Sequence, residues 1–591
     1  DQIFRDLTPE QISKLPQYTG DLLLTEHSAG SITSQAYVKR WNRKNELLAD
    51  SAERAGITAD WLGAQAYPYT PIRDAWDLLM LTQFHDILPG TSVPKAYEYS
   101  WNDDVVALNR SAGALSDSAG AVIRGMDTRV KGVALVVYNP LATARQDIVE
   151  AVVRMPKATK YVRVYGPDGV EVPSQVLSGS GAYIRVLFLA KAPSVGFTTY
   201  DVRPSNTAYK APTGLRVTKN SLENSRYLVT LNENGDVAQI KDKAAGRNLL
   251  SAPARLAFKH DEPDQWPAWN IDWEDQKEPP TGYVSGPATV RIVENGPVRV
   301  ALEVTRNSRG SKFVQVVRLG AAGAGNRVEF DNNIDWNTLK TTLKTEFTMA
   351  VANDKASYNM GMGVAERATN DPKKYEVPHH QWFDLTDRDG KYGVSVLEDC
   401  KYASDKPDDR TLRLTLIRTP GARSYQDQAT QDIGRHRVLY ALMGHEGSWR
   451  GKTPWEAARL NQPLIAFQAP AHAGRLGKSF SLLKVNNAQV AVTAIKQAEG
   501  GKDIVVRLQE LSGSPANVTL TAAAAITSAR EVNGQEETIG EAALKNGSLV
   551  TTIPGYSARA FALRLAPSAA RVSAPVAKSV TLKYDVEAAG P

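Results

Sequence analysis

Apolar positions recur at helical spacing up to about residue 124 and at strand spacing beyond it. In residues 33–53, Val38, Trp41, Leu47, Leu48 and Ala52 form one face, with Thr33 placed to cap the helix and Gly56 to end it. A second stripe runs through Ile72, Ala75, Trp76, Leu78, Leu79 and Phe84 and is stopped by Pro89-Gly90. A third helix is predicted over residues 94–124, with Thr91 or Ser92 as its cap and Pro94 tolerated in the first turn. Three helices joined by short loops predict a small bundle. After Thr128 the texture changes. Residues 132–140 are a buried-strand run ended by Asn139-Pro140, and short β-branched segments punctuated by Gly, Pro and Asn continue to the C-terminus. Residues 161–165 before Pro167-Asp168-Gly169, and 227–231 before Asn234-Gly235, read as strands entering tight turns.

This pattern predicts an α+β multidomain chain, a three-helix bundle followed by several antiparallel β-sandwich domains. A length of 591 residues requires more than one core. The expected division is a polar lead-in at 1–25, the bundle at 26–127, a small sandwich at 128–211, a large β unit at 212–480 and a last sandwich at 481–591. Residues 204–214 serve as a linker. No run approaches the ~18 apolar residues a membrane helix needs, so no membrane partner is expected. The formal charge is +6, but Lys and Arg are spread thinly except at Lys39-Arg40 and Arg43-Lys44. A nucleic-acid reader concentrates its basic residues and interleaves aromatics, so nucleic acid is not expected either. Cys400 is the single cysteine, which rules out an intramolecular disulfide and a Cys-rich zinc site. It fits the cytosol and a bacterial envelope equally.

The chemistry concentrates at Gln83-Phe84-His85-Asp86-Ile87-Leu88-Pro89-Gly90-Thr91-Ser92. Here a metal-capable imidazole sits beside a carboxylate where a helix closes. Neighbours inside a helix point about 100° apart; at a helix end the backbone turns, and both can approach one bound object. The alternative is a C-terminal His favoured by the helix dipole beside a solvated Asp. A second candidate is the run Asp264-Gln265-Trp266-Pro267-Ala268-Trp269-Asn270-Ile271-Asp272-Trp273, whose Trp and acids suit the apolar faces and hydroxyls of a sugar. Buried Trp in a sandwich core explains the same run.

The His85 segment resembles the zinc-ligand segment of the α-mannosidases of glycoside hydrolase family 38. The resemblance extends over most of residues 18–450. It includes Thr25-Glu26-His27 through Thr33-Ser34-Gln35, the Trp266–Trp269 run, and a block from Glu366-Arg367 through Tyr375-Glu376 and His379-His380 to Asp399-Cys400-Lys401-Tyr402. The gap between His27 and Thr33 carries one residue more than the family pattern. The resemblance implies that His85 is one of four zinc ligands and that Asp86 contacts the bound mannose. It implies a large mutarotase-like supersandwich at 212–480. Trp269, Asp272 and Arg367 become candidate substrate contacts. For Arg367 an ion pair with Glu366 or Glu376 is the alternative. Adjacent His379 and His380 face opposite ways on a strand and do not make one metal site.

A retaining glycosidase needs two carboxylates about 5–5.5 Å apart. In the family these, and a His-x-Asp zinc pair, belong to an N-terminal α/β domain, and none of the eight histidines here starts such a pair ahead of the bundle. No catalytic residue is therefore expected in this chain. The expected function is a zinc-dependent, retaining α-mannosidase acting on mannose-containing oligosaccharides. This chain would be its downstream part, working with an N-terminal catalytic segment of the same protein. The rival is a non-catalytic carbohydrate-binding β-sandwich protein with a helical adaptor.

Overall fold

The computed structural model describes residues 5–573 apart from 19–22, 24, 422–424, 426, 427 and 429. Parts of the lead-in, residues 1–4, 19–22 and 24, thus lie outside the described residues. Three long helices come first: α1 (Ala36–Trp61), α2 (Tyr69–Thr82) and α3 (Pro94–Ile123). Helix α1 starts three residues later than Thr33 and runs past Gly56. Its buried face continues through Ile57 and Ala59, so nothing in the pattern stops it there. Gly56 instead admits a neighbour, since a Cβ would meet Pro68 Cδ at 3.0 Å. Helix α2 buries Ile72, Ala75 and Leu79, whereas Phe84 lies beyond the helix and is 57% exposed. Thr91 does not cap α3. Val93 occupies that position without a side-chain bond, because the Thr91 hydroxyl is engaged by Asp86.

The bundle closes around one buried polar knot. Asp104 of α3 accepts from Asn45 Nδ2 at 3.2 Å and from Thr82 Oγ1 at 3.4 Å, while its Oδ2 is buried without a partner. Burial raises this carboxyl from the usual 3.8 to about 7. Between those values the folded chain holds a proton that the unfolded chain releases. Stability from this group is therefore full below pH 3.8 and declines as pH rises to 7. Asp104→Asn should flatten that decline, by about 2–4 kcal/mol at pH 7, in urea titrations run across the interval. An unchanged pH profile would show that Asp104 ionises normally.

The remainder is antiparallel sheet. A nine-stranded sheet, from Thr289–Asn295 at one edge to Val364–Ala368 at the other, belongs with a six-stranded sheet containing Arg255–His260, Thr341–Thr348 and Thr411–Thr419. A single apolar core joins them, including Phe258, Phe313, Trp336, Phe347 and Tyr440. Lys344, wholly buried, is held by Glu376 and by Asp405 at 2.8 Å. Before this unit, Arg145–Arg154 and Tyr183–Ala192 pair in one sheet, and Val133–Asn139 and Gly196–Ser205 in another. Strands Ile465–Ala469 and Ser479–Ser481 return from far along the chain to join Val133–Asn139 and Gly196–Ser205. The expected division put Ile465–Ala469 in the large β unit and the boundary with the last sandwich inside Ser479–Ser481; both strands hydrogen-bond to strands of the small unit. The last sandwich, of four- and five-stranded sheets, packs its core against Ile57 of α1. A short helix, α4 (Thr453–Asn461), places Ala457 and Leu460 against Trp382 and Trp449.

Candidate functional site

Helix α2 ends at Thr82 and the chain turns sharply through residues 83–92. This turn is braced from within. The amides of Thr91 and Ser92 both donate to the Asp86 carbonyl at 3.0 Å, the Tyr97 hydroxyl donates to it at 3.1 Å, and the Thr91 hydroxyl donates to Asp86 Oδ1 at 2.8 Å. Asp86 is thereby fixed with Oδ2 turned toward His85, whose Nε2 lies 3.2 Å away. The imidazole is 75% exposed and packs its ring on Phe84 at 4.4 Å between centroids. His85 and Asp86 do converge, as the turned backbone allows, and they do so facing outward.

The turn is also braced from outside, at Ser34. Gly90, with φ +86°, passes so close that a Cβ would lie 2.1 Å from the Ser34 carbonyl oxygen. Lys39 donates to that carbonyl and, at 2.7 Å, to the carbonyl of Leu88. Burial lowers the Lys39 ammonium to about 7. The Ser34 hydroxyl donates to the Ala268 carbonyl at 2.7 Å and accepts from Arg418 Nη1 and Gln431 Nε2, both at 3.0 Å. The amides of Gly30 and Ser31 donate to the Trp269 carbonyl at 2.7 and 3.3 Å. Residues 30–34 thus tie the His85 turn to the tryptophan run, although more than 170 residues of sequence separate the two.

At that run Trp266, in the left-handed region at φ 55°, packs on Tyr425 at 4.8 Å and meets Trp269 edge-on at 6.0 Å. Trp266 and Tyr425 are 43% and 47% exposed. They form an open aromatic surface rather than a core. Asp272 accepts the Asp264 amide at 2.9 Å, and burial together with neighbouring carboxylates raises its carboxyl above the usual range. The segment is held by Arg418, whose guanidinium, wholly buried, bonds Asp261 and the carbonyls of Pro267 and Asn270.

Arg367 lies elsewhere. It is buried, donates to the Pro378 carbonyl at 2.7 Å and stacks 4.8 Å over Tyr358. Glu376, one of its suggested partners, is taken by Lys344 and Thr415. His379 is buried with Nδ1 3.0 Å from Ser404 Oγ, and burial drives it well below its usual range. His380 is lowered to about 3 for the same reason, so both stay neutral. The His27 ring is exposed and contacts Ser28 Oγ at 2.8 Å. Among the described residues no group of three or more His, Cys, Asp or Glu side chains stands ready to hold a metal. Sequence reasoning gave Ser34, Thr91, Tyr97 and Arg418 no part in bracing the site. Ser34 carried a signal as the centre of the Thr33-Ser34-Gln35 motif, and Thr91 as part of the segment 83–92, where it was read as a helix cap.

Three domain families account for this arrangement. Residues 26–116 match the alpha mannosidase middle domain, 222–426 the glycosyl hydrolases family 38 C-terminal domain, and 489–567 that family's C-terminal beta sandwich domain. The chain belongs to glycosyl hydrolase family 38. It is 28% identical over 589 residues to alpha-mannosidase 2C1 of Mus musculus, covering 95% of this chain and 52% of that protein. It is 26% identical over 585 residues to alpha-mannosidase G of Dictyostelium discoideum, covering 91% and 52%. The chain thus spans about half the length of these relatives. An alpha-mannosidase structure from Enterococcus faecalis V583 superposes with a TM-score of 0.80 at 17% identity, over 95% of this chain and 71% of that one. That likeness speaks for the fold.

Proposed function

We propose that this chain is the middle and C-terminal part of a zinc-dependent, retaining α-mannosidase that removes terminal α-D-mannosyl residues from oligosaccharides. The observation that carries the reading is the exposed His85–Asp86 pair on a doubly braced turn, joined through Ser34 to the aromatic surface of Trp266, Trp269 and Tyr425. One imidazole beside one carboxylate is too few donors for a zinc site, so His85 would be one ligand of a centre completed by groups beyond the described residues. A zinc ion bound there would orient vicinal sugar hydroxyls as a template.

The chain's own groups have defined tasks. Asp86, already positioned by Thr91, accepts a hydrogen bond from a ring hydroxyl through its outward oxygen. The aromatic rings cover the apolar face of a neighbouring sugar. Retention of configuration requires a carboxylate pair, assigned in this reading to an N-terminal catalytic segment.

The test uses the complete enzyme. His85→Ala should lower bound zinc, read by atomic absorption, together with turnover of an aryl α-mannoside. Full zinc occupancy in that variant would remove His85 from the ligand set. Asp86→Asn should keep its zinc and lose about 10–100-fold in kcat/KM, the worth of one hydrogen bond to a charged group. Saccharide binding without any turnover, in protein with intact zinc, would give the non-catalytic reading its place.

A further inference from the structure

The basic residues that look scattered in the sequence are gathered by the fold. Beside the start of α1 lies a cleft of about 460 Å³. One wall is the outer face of three adjacent strands, Ser311–Gly320, Val328–Trp336 and Gly434–Glu446. Lys312, Asp335 and Arg435 stand there in one cross-strand row, and Val314, Asn333 and Arg437 in the next. Tyr37 and Arg40 of α1 form the opposite side, and Lys401 closes it.

The charges do not balance. Arg40, Lys312, Lys401, Arg435 and Arg437 line the cleft against the single carboxylate of Asp335. Arg437 is satisfied by Asp331 at 2.8 Å. The side-chain nitrogens of Arg40, Lys312, Lys401 and Arg435 have no hydrogen-bond or close ion-pair partner among the described residues, and Arg40 Nε is buried in that state. Lys401 is 4% exposed as a residue and has no hydrogen-bonded side-chain partner among the described residues. Asp432 acts on it electrostatically but spends its Oδ1 on the Ala36 amide at 2.9 Å. His436 adds no charge, since burial lowers it to about 4 and its Nε2 contacts the Asp432 carbonyl at 2.6 Å. Lys401 is buried, Arg40 half-buried, and Lys312 and Arg435 exposed; a convergence of four cations on one cleft without carboxylate partners of their own is the environment of an anion.

We propose that this cleft binds a phosphate group, carried either by inorganic phosphate or by a phosphorylated sugar. Arg40 and Arg435 face it from helix and sheet, and Lys401 takes it from below. The site is separate from His85 and holds whether or not the chain acts on mannosides. Lys39, the neighbour of Arg40 on α1, does not line the cleft and reaches instead to the Leu88 carbonyl.

Calorimetric titration of the 591-residue protein at constant ionic strength, with inorganic phosphate, a hexose 6-phosphate and the unphosphorylated hexose, tests the assignment. Saturable binding of phosphate is expected, weakened roughly tenfold or more by Lys401→Met and by Arg435→Ala, as loss of a charged hydrogen bond entails. Tighter binding of the hexose phosphate than of phosphate names the sugar as carrier, and equal binding names the free ion. Arg435 is exposed, so its variant keeps the test open if Lys401→Met fails to fold. Phosphate heats matching those of chloride, or an Arg435→Ala protein that binds as tightly as wild type, overturn the proposal.

Discussion

Replacing Arg418 with Ala should cost about 3–5 kcal/mol of stability, the range for a buried ion pair deprived of one partner. Arg418 and Asp261 are both wholly buried, and the guanidinium gives Asp261 two bonds, at 2.8 and 3.0 Å. Without it the carboxylate keeps one side-chain donor, Thr342 Oγ1 at 2.6 Å. A nearly uncompensated charge then remains in the interior. The same change frees the carbonyls of Pro267 and Asn270 and removes one donor from Ser34. Chemical denaturation of Arg418→Ala, Asp261→Asn and the double variant separates these contributions. The double variant should be less damaged than the two single losses added together, because neutralising Asp261 removes the stranded charge. A loss below 1 kcal/mol in Arg418→Ala would mean that water reaches the pair.

Gly90→Ala should do less to global stability and more to the site. Its φ of +86° costs a side-chain-bearing residue about 1–2 kcal/mol. The added Cβ would also lie 2.1 Å from the Ser34 oxygen and 2.4 Å from the Ser34 carbonyl carbon, atoms of a main chain held from several directions. Relief requires the turn to withdraw from Ser34. The Lys39 bridge to Leu88 and the setting of Asp86 then fail together. Urea unfolding should show a loss of about 1–3 kcal/mol, while affinity for mannosides in the complete enzyme should fall further than that loss explains. Wild-type affinity in Gly90→Ala would show that the turn does not depend on this contact.

The three helices and the early strands were readable because their apolar spacing is regular and their ends carry Pro, Gly or Asn. The ends themselves were less so. Thr33 and Thr91 look like caps, yet Thr91 serves Asp86, and Gly56 looks like a stop but fits Pro68 and Tyr67 against α1. Local composition cannot show such tertiary uses of a residue. Of the site, His85 and Asp86 were legible from a contiguous motif, and the structure brings them within 3.2 Å. The bracing roles of Ser34 and Arg418 were not, since their partners lie far along the chain, although Ser34 itself stands in a recognisable motif. For Arg367 the sequence left a substrate contact and an ion pair with Glu366 or Glu376 both open, and the fold lays it over Tyr358. Arg40, Lys401 and Arg435 are spread along the chain and brought to one cleft only by the fold.

The return of Ile465–Ala469 and Ser479–Ser481 to the sheet of Val133–Asn139 and Gly196–Ser205 has a bearing on how the chain is made. On the ribosome, those early strands emerge well before the late ones that flank them. Until then their backbone edges stay open, and such unpaired edges invite association between nascent chains. Closing the sheet requires the chain to be made through Ser481. The small β unit is therefore completed only after the chain of the large one has been made, and a fragment cut at residue 211 would lack the strands that seal it.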